Sequence, residues 1–202
     1  MQKPQQYDET KITGSYEPIT LGGHKMVIKR VAETKSKSGL SMLTILFDFA
    51  DNDVQPGYFM KMFNDDIRPD KKWPSAGTTH SVVDAGTDYG VKNLKTFITC
   101  VEKSNPGFSV QWGDNFDQQF KGKLIGGVFR VEKDWYNNKE VNKHRFAWFR
   151  SIEGIENVEV PAERTTKEFD SHTREEAFMG AGSQGTDFMD IPDGIEDELP
   201  FN

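Results

Sequence analysis

Apolar residues recur at every second position in several stretches of the chain, and polar stretches rich in Gly, Pro, Asn and Asp separate them. This alternation predicts one strand over residues 22–34 and a second over 40–50, joined by a turn at 34–39. A similar pattern predicts a third strand over 57–63. Residues 64–87 show little pattern and are predicted to be a long loop.

Helical spacing begins after this loop. Val91, Leu94, Ile98 and Val101 recur every three or four residues, which predicts a helix that Asp88 caps and that Asn105-Pro106-Gly107 ends. The elements predicted after it are a short helix over 114–120, a strand over 121–134, a polar loop over 134–143 and a strand over 144–152.

The predicted order is three strands, a helix and two strands. This is the order of the OB-fold, a five-stranded Greek-key barrel with its helix between strands 3 and 4. Gly126-Gly127 inside the fourth strand indicates a bulge or bend of the kind that closes a barrel. A β-sandwich of the same strands is an alternative on pattern alone. We therefore expect a mainly β domain over 21–160, after a polar lead-in at 1–20.

The C-terminal part of the chain loses this periodicity. Residues 161–186 are predicted to be a linker with a helical turn around 174–179. Residues 187–202 form a tail with six acidic side chains and no basic one, which predicts a flexible, solvated segment. Its apolar end within acidic surroundings suits a basic, apolar pocket on a partner protein. The predicted partner contacts are Asp193, Glu196, Asp197, Glu198, Leu199, Pro200 and Phe201.

The net charge of −7 is unevenly distributed along the chain. Residues 161–202 hold three bases and eleven acids, whereas residues 1–160 hold 22 bases and 21 acids. Within the body, residues 24–37 carry five bases against one acid, and residues 121–150 carry eight bases against three acids. A polyanion would therefore meet two basic segments despite the acidic total.

Aromatic and basic side chains interleave over residues 129–150. Single-stranded nucleic acid exposes phosphates and base faces together, so cations attract it and aromatic rings stack its bases at roughly 1–3 kcal/mol each. In an OB-fold, the loop between strands 1 and 2 and the loop between strands 4 and 5 flank the ligand cleft. In this chain these loops are predicted at 34–39 and 134–143. The candidate nucleic-acid contacts are Lys25, Lys29, Arg30, Lys35, Lys37, Arg130, Lys133, Trp135, Tyr136, Lys139, Lys143, Arg145 and Phe149.

Only one face of each strand can contact a ligand. Strict alternation places Phe146 and Trp148 on one face of the last strand, and Arg145 and Phe149 on the other. We assign Phe146 and Trp148 to the core because of their bulk, which leaves Arg145 and Phe149 as contacts. The two aromatic residues of the 134–143 loop either stack on bases or fold over the barrel.

Catalytic patterns are weaker. There is no phosphate-binding loop, nucleophile elbow or EF-hand, the four His have no ligand spacing, and the single Cys100 lies among apolar helix positions. We therefore expect no enzyme activity, no metal and no cofactor. A metal-dependent nuclease is the catalytic alternative, and the carboxylates that would bind Mg²⁺ in it are Asp48, Asp51, Asp53, Asp65 and Asp66.

A family likeness is carried by Gly22-Gly23-His24-Lys25-Met26-Val27-Ile28-Lys29, Lys35-Ser36-Lys37-Ser38-Gly39, Leu43-Thr44-Ile45-Leu46-Phe47-Asp48, Gly126-Gly127-Val128-Phe129-Arg130, the helix over 91–100 and the acidic end. These segments resemble the single-stranded DNA-binding proteins of phages of Gram-positive bacteria. The tail is similar to that of bacterial single-stranded DNA-binding proteins, which ends in Ile-Pro-Phe, although here Asn202 follows Phe201. The resemblance implies an OB-fold, no catalysis and coating of single strands in phage replication or recombination.

The sequence thus predicts a sequence-tolerant single-stranded DNA-binding protein whose tail recruits replication or recombination proteins. The alternative is an OB-like adaptor of replication proteins that does not bind DNA, with 129–150 in its core. No signal peptide or membrane span is visible, so we expect a cytoplasmic protein, in the host cell if the chain is phage-encoded. A homo-oligomer and RNA as the ligand are both compatible with the sequence.

Overall fold

The structure is a computed structural model that describes residues 2–5, 7–8 and 16–181. These residues form a mainly β fold with six strands and three α-helices. The strands are β1 (Gly22–Lys35), β2 (Ser41–Phe49), β3 (Thr78–Val82), β4 (Leu124–Tyr136), β5 (Lys139–Arg150) and β6 (Arg164–Thr165). The helices are α1 (Tyr58–Asp65), α2 (Asp88–Ser104) and α3 (Lys167–Ala181).

The strands build one sheet in the order β3-β2-β1-β4-β5, with antiparallel neighbours. The short β6 pairs in parallel with β4, on the edge that β1 leaves free beyond Gly22 and Phe129. No ladder joins β3 to β5 within the described residues, so this sheet is open. The predicted mainly β class is confirmed, and the closed barrel is not seen.

The core lies on one face of this curved sheet. Inward side chains alternate along β1 and β2, where Met26, Ile28, Ile45 and Phe47 are fully buried. The alternation in β1 breaks at Lys29, because the pairing with β2 shifts register between Ile28 and Arg30. Such a bulge adds twist and bends the strand, which helps the sheet to wrap around its core.

Helix α1 replaces the third strand that we predicted over 57–63. Tyr58 and Met62 are four residues apart and pack together with Phe59 against the core. Alternating apolar residues in so short a segment fit a helix face as well as a strand, so the period alone was ambiguous. Gly57 allows the helix to begin, since its φ of 63° is in the left-handed region.

The actual third strand, β3, lies inside the predicted loop over 64–87. Its sequence is Thr-Thr-His-Ser-Val and has no apolar alternation. The strand exists because it pairs with β2 at the edge of the sheet, from Thr78 opposite Leu46 to Val82 opposite Met42. Tertiary pairing rather than local pattern therefore determines this element.

Helix α2 is confirmed, although Thr87 rather than Asp88 caps it by accepting a hydrogen bond from the Gly90 amide at 3.0 Å. Asn105 ends the helix, and its side chain bonds the backbone of Leu124 at the start of β4. The short helix predicted over 114–120 is only a 3-10 turn, Gln118–Phe120.

Gly126 and Gly127 allow other segments to pack closely against β4, and neither residue forms the bulge that we predicted there. A Cβ atom on Gly127 would lie 2.4 Å from the Met26 Cε atom in the core. On the opposite face of the sheet, a Cβ on Gly126 would approach the Ile155 side chain to 3.0 Å. The two glycines therefore let the core and the segment after β5 approach β4 from opposite sides.

Residues predicted as a linker contain β6 and α3 up to residue 181. The Thr166 amide donates to the Lys133 carbonyl at 2.9 Å, and the His172 ring stacks on Trp135 with 3.7 Å between ring centroids. This segment therefore packs against the end of β4. The predicted tail over 187–202, with all seven predicted partner contacts, lies outside the described residues.

Candidate nucleic-acid interface

The β4–β5 hairpin is longer than the sequence predicted. Residues 134–143, predicted as a polar loop, continue both strands up to a two-residue turn at Asn137 and Asn138. Both asparagines have positive φ, 50° and 58°, as a type I′ hairpin turn requires. Asn tolerates this conformation better than most residues, so the Asn-Asn pair was the pattern that could have located the turn.

A register shift in this hairpin decides which aromatic side chains face outwards. Val128 pairs with Trp148 and Phe129 pairs with Phe146, so Ala147 is an extra residue in β5. Because of this bulge, strict alternation does not apply across 146–149. The adjacent apolar residues Trp148 and Phe149 are the sequence feature that could have indicated it.

The bulge corrects two predictions. Phe149 faces the core, with its ring centroid 4.6 Å from that of Phe146 and 5.3 Å from that of Phe97. The Phe149 ring is therefore not exposed, and it cannot be the stacking contact that we expected. Trp148, which we assigned to the core, is 41% exposed, so that assignment is wrong.

The outer hairpin face is the side of β4–β5 opposite to Phe129 and Phe146. Pairs of residues alternate between the two sides of the ladder, which places Trp148 at one end of this face and Tyr136 at the other. Tyr136 is 61% exposed. The basic side chains between and beside these two rings are Arg130, Lys139, Lys143 and Arg145, and the acids on the same face are Glu132 and Asp134.

The two arginines of this face lie directly opposite each other in the ladder. No carboxylate of the described residues is within ion-pair distance of Arg130 or Arg145. Like charges on directly opposed residues are unfavourable in the free protein. A bound phosphate would relieve this repulsion, so the pair suits an anionic ligand.

Asp134 positions the lysine next to Tyr136. The Lys143 ammonium pairs with the Asp134 carboxylate and lies 5.6 Å from the centroid of the Tyr136 ring. The carboxylate also accepts hydrogen bonds from the Thr166 hydroxyl and the Trp135 amide, both at 2.9 Å. The hydrogen bond from Lys143 is the largest cause that lowers the pKa of Asp134, followed by that from Thr166.

The opposite side of the hairpin end carries Lys133 and Trp135. Trp135 stacks on His172 of α3, and Lys133 forms a 2.8 Å ion pair with Glu163, which raises the pKa of the lysine. These two predicted contacts therefore face the C-terminal segment instead of sharing a surface with Tyr136.

The β1–β2 hairpin carries the other basic segment. Arg30 is exposed, as are Lys35 and Lys37 at the turn, which lies where the sequence predicted it. The ammonium groups of Lys25 and Lys29 are each 3.8 Å from a carboxylate, of Glu156 and Asp48 respectively.

The register separates the two basic turns. β1 and β4 pair from Gly22–Phe129 to Val27–Leu124. The β1–β2 turn lies beyond the Leu124 end of this ladder, and the β4–β5 turn lies beyond the Gly22 end. A single ligand strand that contacted both turns would have to cross the sheet between them.

Two of the carboxylates that we considered as Mg²⁺ ligands have separate structural partners. Asp48 accepts a hydrogen bond from the Phe59 amide at 2.9 Å. Asp53 bonds the buried His24 ring at 2.9 Å. Burial opposes ionisation of Asp53, but its hydrogen bonds, chiefly that from His24, outweigh burial and lower its pKa. Across the described residues, no group of three His, Cys, Asp or Glu side chains could hold a metal ion.

Comparison with known proteins adds no assignment to this site. A scan against protein-family models and a search of curated proteins found no match to the chain. Among the helices of the described residues, none combines the length and the apolar character that crossing a membrane requires.

Proposed function

We propose that this protein binds single-stranded DNA with little sequence preference and without catalysis. The observation that carries this proposal is the outer hairpin face, where two exposed aromatic rings, Trp148 and Tyr136, lie at the ends of a stretch in which basic side chains outnumber the acids Glu132 and Asp134. The rings would stack unpaired bases, and Arg130, Lys139, Lys143 and Arg145 would contact phosphates.

The arrangement favours a single strand over a duplex. In a duplex the base faces are stacked on one another, so an exposed aromatic ring gains little from them. An unpaired base offers its face, and stacking on an aromatic side chain contributes about 1–3 kcal/mol per base whatever its identity. Ring stacking and phosphate contacts do not depend on base identity, which is why we propose sequence-tolerant binding.

The strand order supports an OB-like fold. An OB-fold barrel joins β3-β2-β1-β4-β5 and places its helix between β3 and β4, and α2 lies between β3 and β4 here. We propose that the sheet is such a barrel, opened between β3 and β5. With the resemblance to phage single-stranded DNA-binding proteins, this favours a role in phage replication or recombination, with the acidic tail recruiting partner proteins.

The test is a side-by-side titration of the full chain with labelled oligo-dT, duplex DNA and RNA at low and moderate salt. We expect the tightest binding to the DNA single strand, with quenching of Trp fluorescence. Affinity should fall with salt with a log–log slope of about −0.7 per phosphate contacted. A folded protein that binds none of these ligands, with or without residues 187–202, would overturn the proposal and favour the adaptor.

A further inference from the structure

The loop between α2 and β4, residues 105–123, carries an exposed aromatic ring outside the outer hairpin face. Trp112 is 71% exposed, and its ring stacks on Phe116 with 5.2 Å between centroids and 13° between planes. Phe116 is itself buried in the core cluster. One face of the indole therefore rests on a fixed ring, and its large exposure leaves the opposite face accessible to another planar group.

The loop holds Trp112 in a defined position. The Gln119 side-chain oxygen accepts a hydrogen bond from the Gln111 amide at 2.8 Å. Its side-chain nitrogen donates to the carbonyls of Gln111 and Phe116, both at 2.8 Å. Gln111, which precedes Trp112, and Phe116, on which its ring stacks, are thus held in place before any ligand arrives, which reduces the ordering cost of binding.

A cation and a further ring lie in an open cleft on the same loop. The Lys123 ammonium is 4.4 Å from the centroid of the Phe108 ring. Phe108 and Phe116 both contact the buried Phe120 ring, so the cleft and Trp112 belong to one aromatic cluster. Lys123 is the only charged residue among those that line the cleft, which are Ser104, Asn105, Pro106, Gly107, Phe108, Lys123 and Leu124.

We propose that this loop surface is a second contact for single-stranded DNA, on which Trp112 stacks a base and Lys123 binds a phosphate. The inference rests on the proposed function and extends it to a second site. Trp112 offers a flat ring open on one side, and the cleft lining, linked to it through Phe116, Phe120 and Phe108, has one positive charge and no acid. Asp114 and Asp117 of the same loop limit its positive charge, so stacking on Trp112 is the main contact that we propose for a nucleotide. An acidic peptide with an aromatic residue is the other ligand class that the test separates.

The position of the surface determines how the test is designed. Gly122 and Lys123 bond the backbone of Ile28 at 2.8 and 2.9 Å, which places the loop at the beginning of β4. The hairpin turn is at the other end of this strand of 13 residues, or ~40 Å at 3.3 Å per residue. Trp148, opposite Val128, lies nearer to this loop than Tyr136 does. A short oligonucleotide at the Tyr136 end of the outer hairpin face would therefore not reach Trp112, whereas a long one would.

The experiment measures binding of oligo-dT of increasing length to the full chain and to the variants Trp112→Ala and Lys123→Ala. We expect unchanged affinity for the shortest oligonucleotides that bind, and about tenfold weaker binding of long ones for Trp112→Ala. The occluded site size should also decrease. Matched controls are Tyr89→Ala, which removes an exposed ring from α2, and Lys95→Ala, which removes an exposed lysine from the same helix.

The possible failures are distinguishable. If the wild-type chain binds oligo-dT and Trp112→Ala, with an unchanged circular dichroism spectrum, binds every length equally well, this inference is wrong and the proposed function stands. If the wild-type chain binds no single strand, both are wrong. If a synthetic peptide of residues 187–202 binds wild type but not Trp112→Ala, while DNA affinity is unchanged, the surface is a peptide site instead.

Discussion

The β1–β2 and β4–β5 hairpins are both long and basic, but they differ in where their aromatic residues lie. In β1–β2 the rings of Phe47 and Phe49 are buried, and no aromatic residue of this hairpin is exposed: the exposed positions carry Arg30, Glu33, Lys35, Lys37 and small or hydroxyl residues. In β4–β5, Tyr136 and Trp148 are exposed beside basic side chains. The first hairpin can attract a polyanion, whereas the second can also stack its bases.

The hairpins also differ in what supports them. β1–β2 is flanked in the sheet by β3 and β4, and its turn is stabilised by local bonds such as that from the Leu40 amide to the Ser36 hydroxyl at 3.0 Å. The end of β4–β5 instead contacts β6 and α3, through Asp134 and Trp135. The two hairpins have similar charge, but they differ in where their aromatic rings lie and in what supports them. Charge alone therefore does not identify a binding surface.

The largest expected effect comes from the exposed rings of β4–β5. We expect Trp148→Ala and Tyr136→Ala each to weaken oligo-dT binding by about 10- to 100-fold, since each removes a stacking platform. Fluorescence anisotropy at fixed salt measures this, and Trp148→Phe should recover most of the loss. Equal affinity for the Ala and Phe variants of Trp148 would contradict a stacking role.

A smaller effect should follow from the arginines of the same hairpin. Removing Arg130 and Arg145 together should make the log–log salt dependence shallower by about 1.4, because each phosphate contact contributes about 0.7. Affinity at low salt falls accordingly, while Trp quenching at saturation is retained. A salt slope identical to that of wild type would show that neither arginine contacts a phosphate.

The turn of β1–β2 provides the direct contrast. Lys35→Ala with Lys37→Ala should weaken low-salt binding less than the loss of either β4–β5 ring, because exposed charges act through screened attraction. At a salt concentration that screens them, the double variant should bind like wild type. A loss that persists at high salt would mean that this turn makes close contacts and that the comparison is wrong.

The smallest effect concerns the support of β4–β5 by Asp134. Its pKa is lowered in the folded state, so its contribution to stability is present above the ordinary aspartate pKa and is lost as pH falls through the lowered value. Thermal unfolding of Asp134→Asn should therefore differ from wild type at neutral pH and converge with it in acid. If the difference in unfolding temperature between Asp134→Asn and wild type stayed constant across that pH range, the effect would come from packing and not from the charge of Asp134.

Local periodicity predicted those elements whose pattern is strong. The first two strands and α2 lie close to their predicted bounds, because apolar residues repeat there with one clear period. The prediction failed where pairing between distant segments decides the structure. Strand β3 has no apolar alternation, and helix α1 has too few residues for its period to be distinguished from that of a strand.

The candidate site was predicted in part for the same reason. The interleaving of basic and aromatic residues over 129–150 located the hairpin correctly, since it depends on composition. The assignment of faces depended on an unbroken register, and the extra residue Ala147 reversed it for Trp148 and Phe149. Trp112 was not predicted, because an isolated aromatic residue in a loop has no periodic neighbours to indicate its exposure.

The sequence by itself determined the β-rich class, the two basic segments, the place of α2 and the acidic C-terminal segment, because these follow from composition and local spacing. Only the tertiary structure decided that the sheet is open, that β6 and the first turns of α3 pack against β4, and that Trp148 and Tyr136 share one face with Arg130 and Arg145. The physical reason is that bulges and strand register depend on partners far away in the chain, and one extra residue moves every following side chain to the other face of the strand.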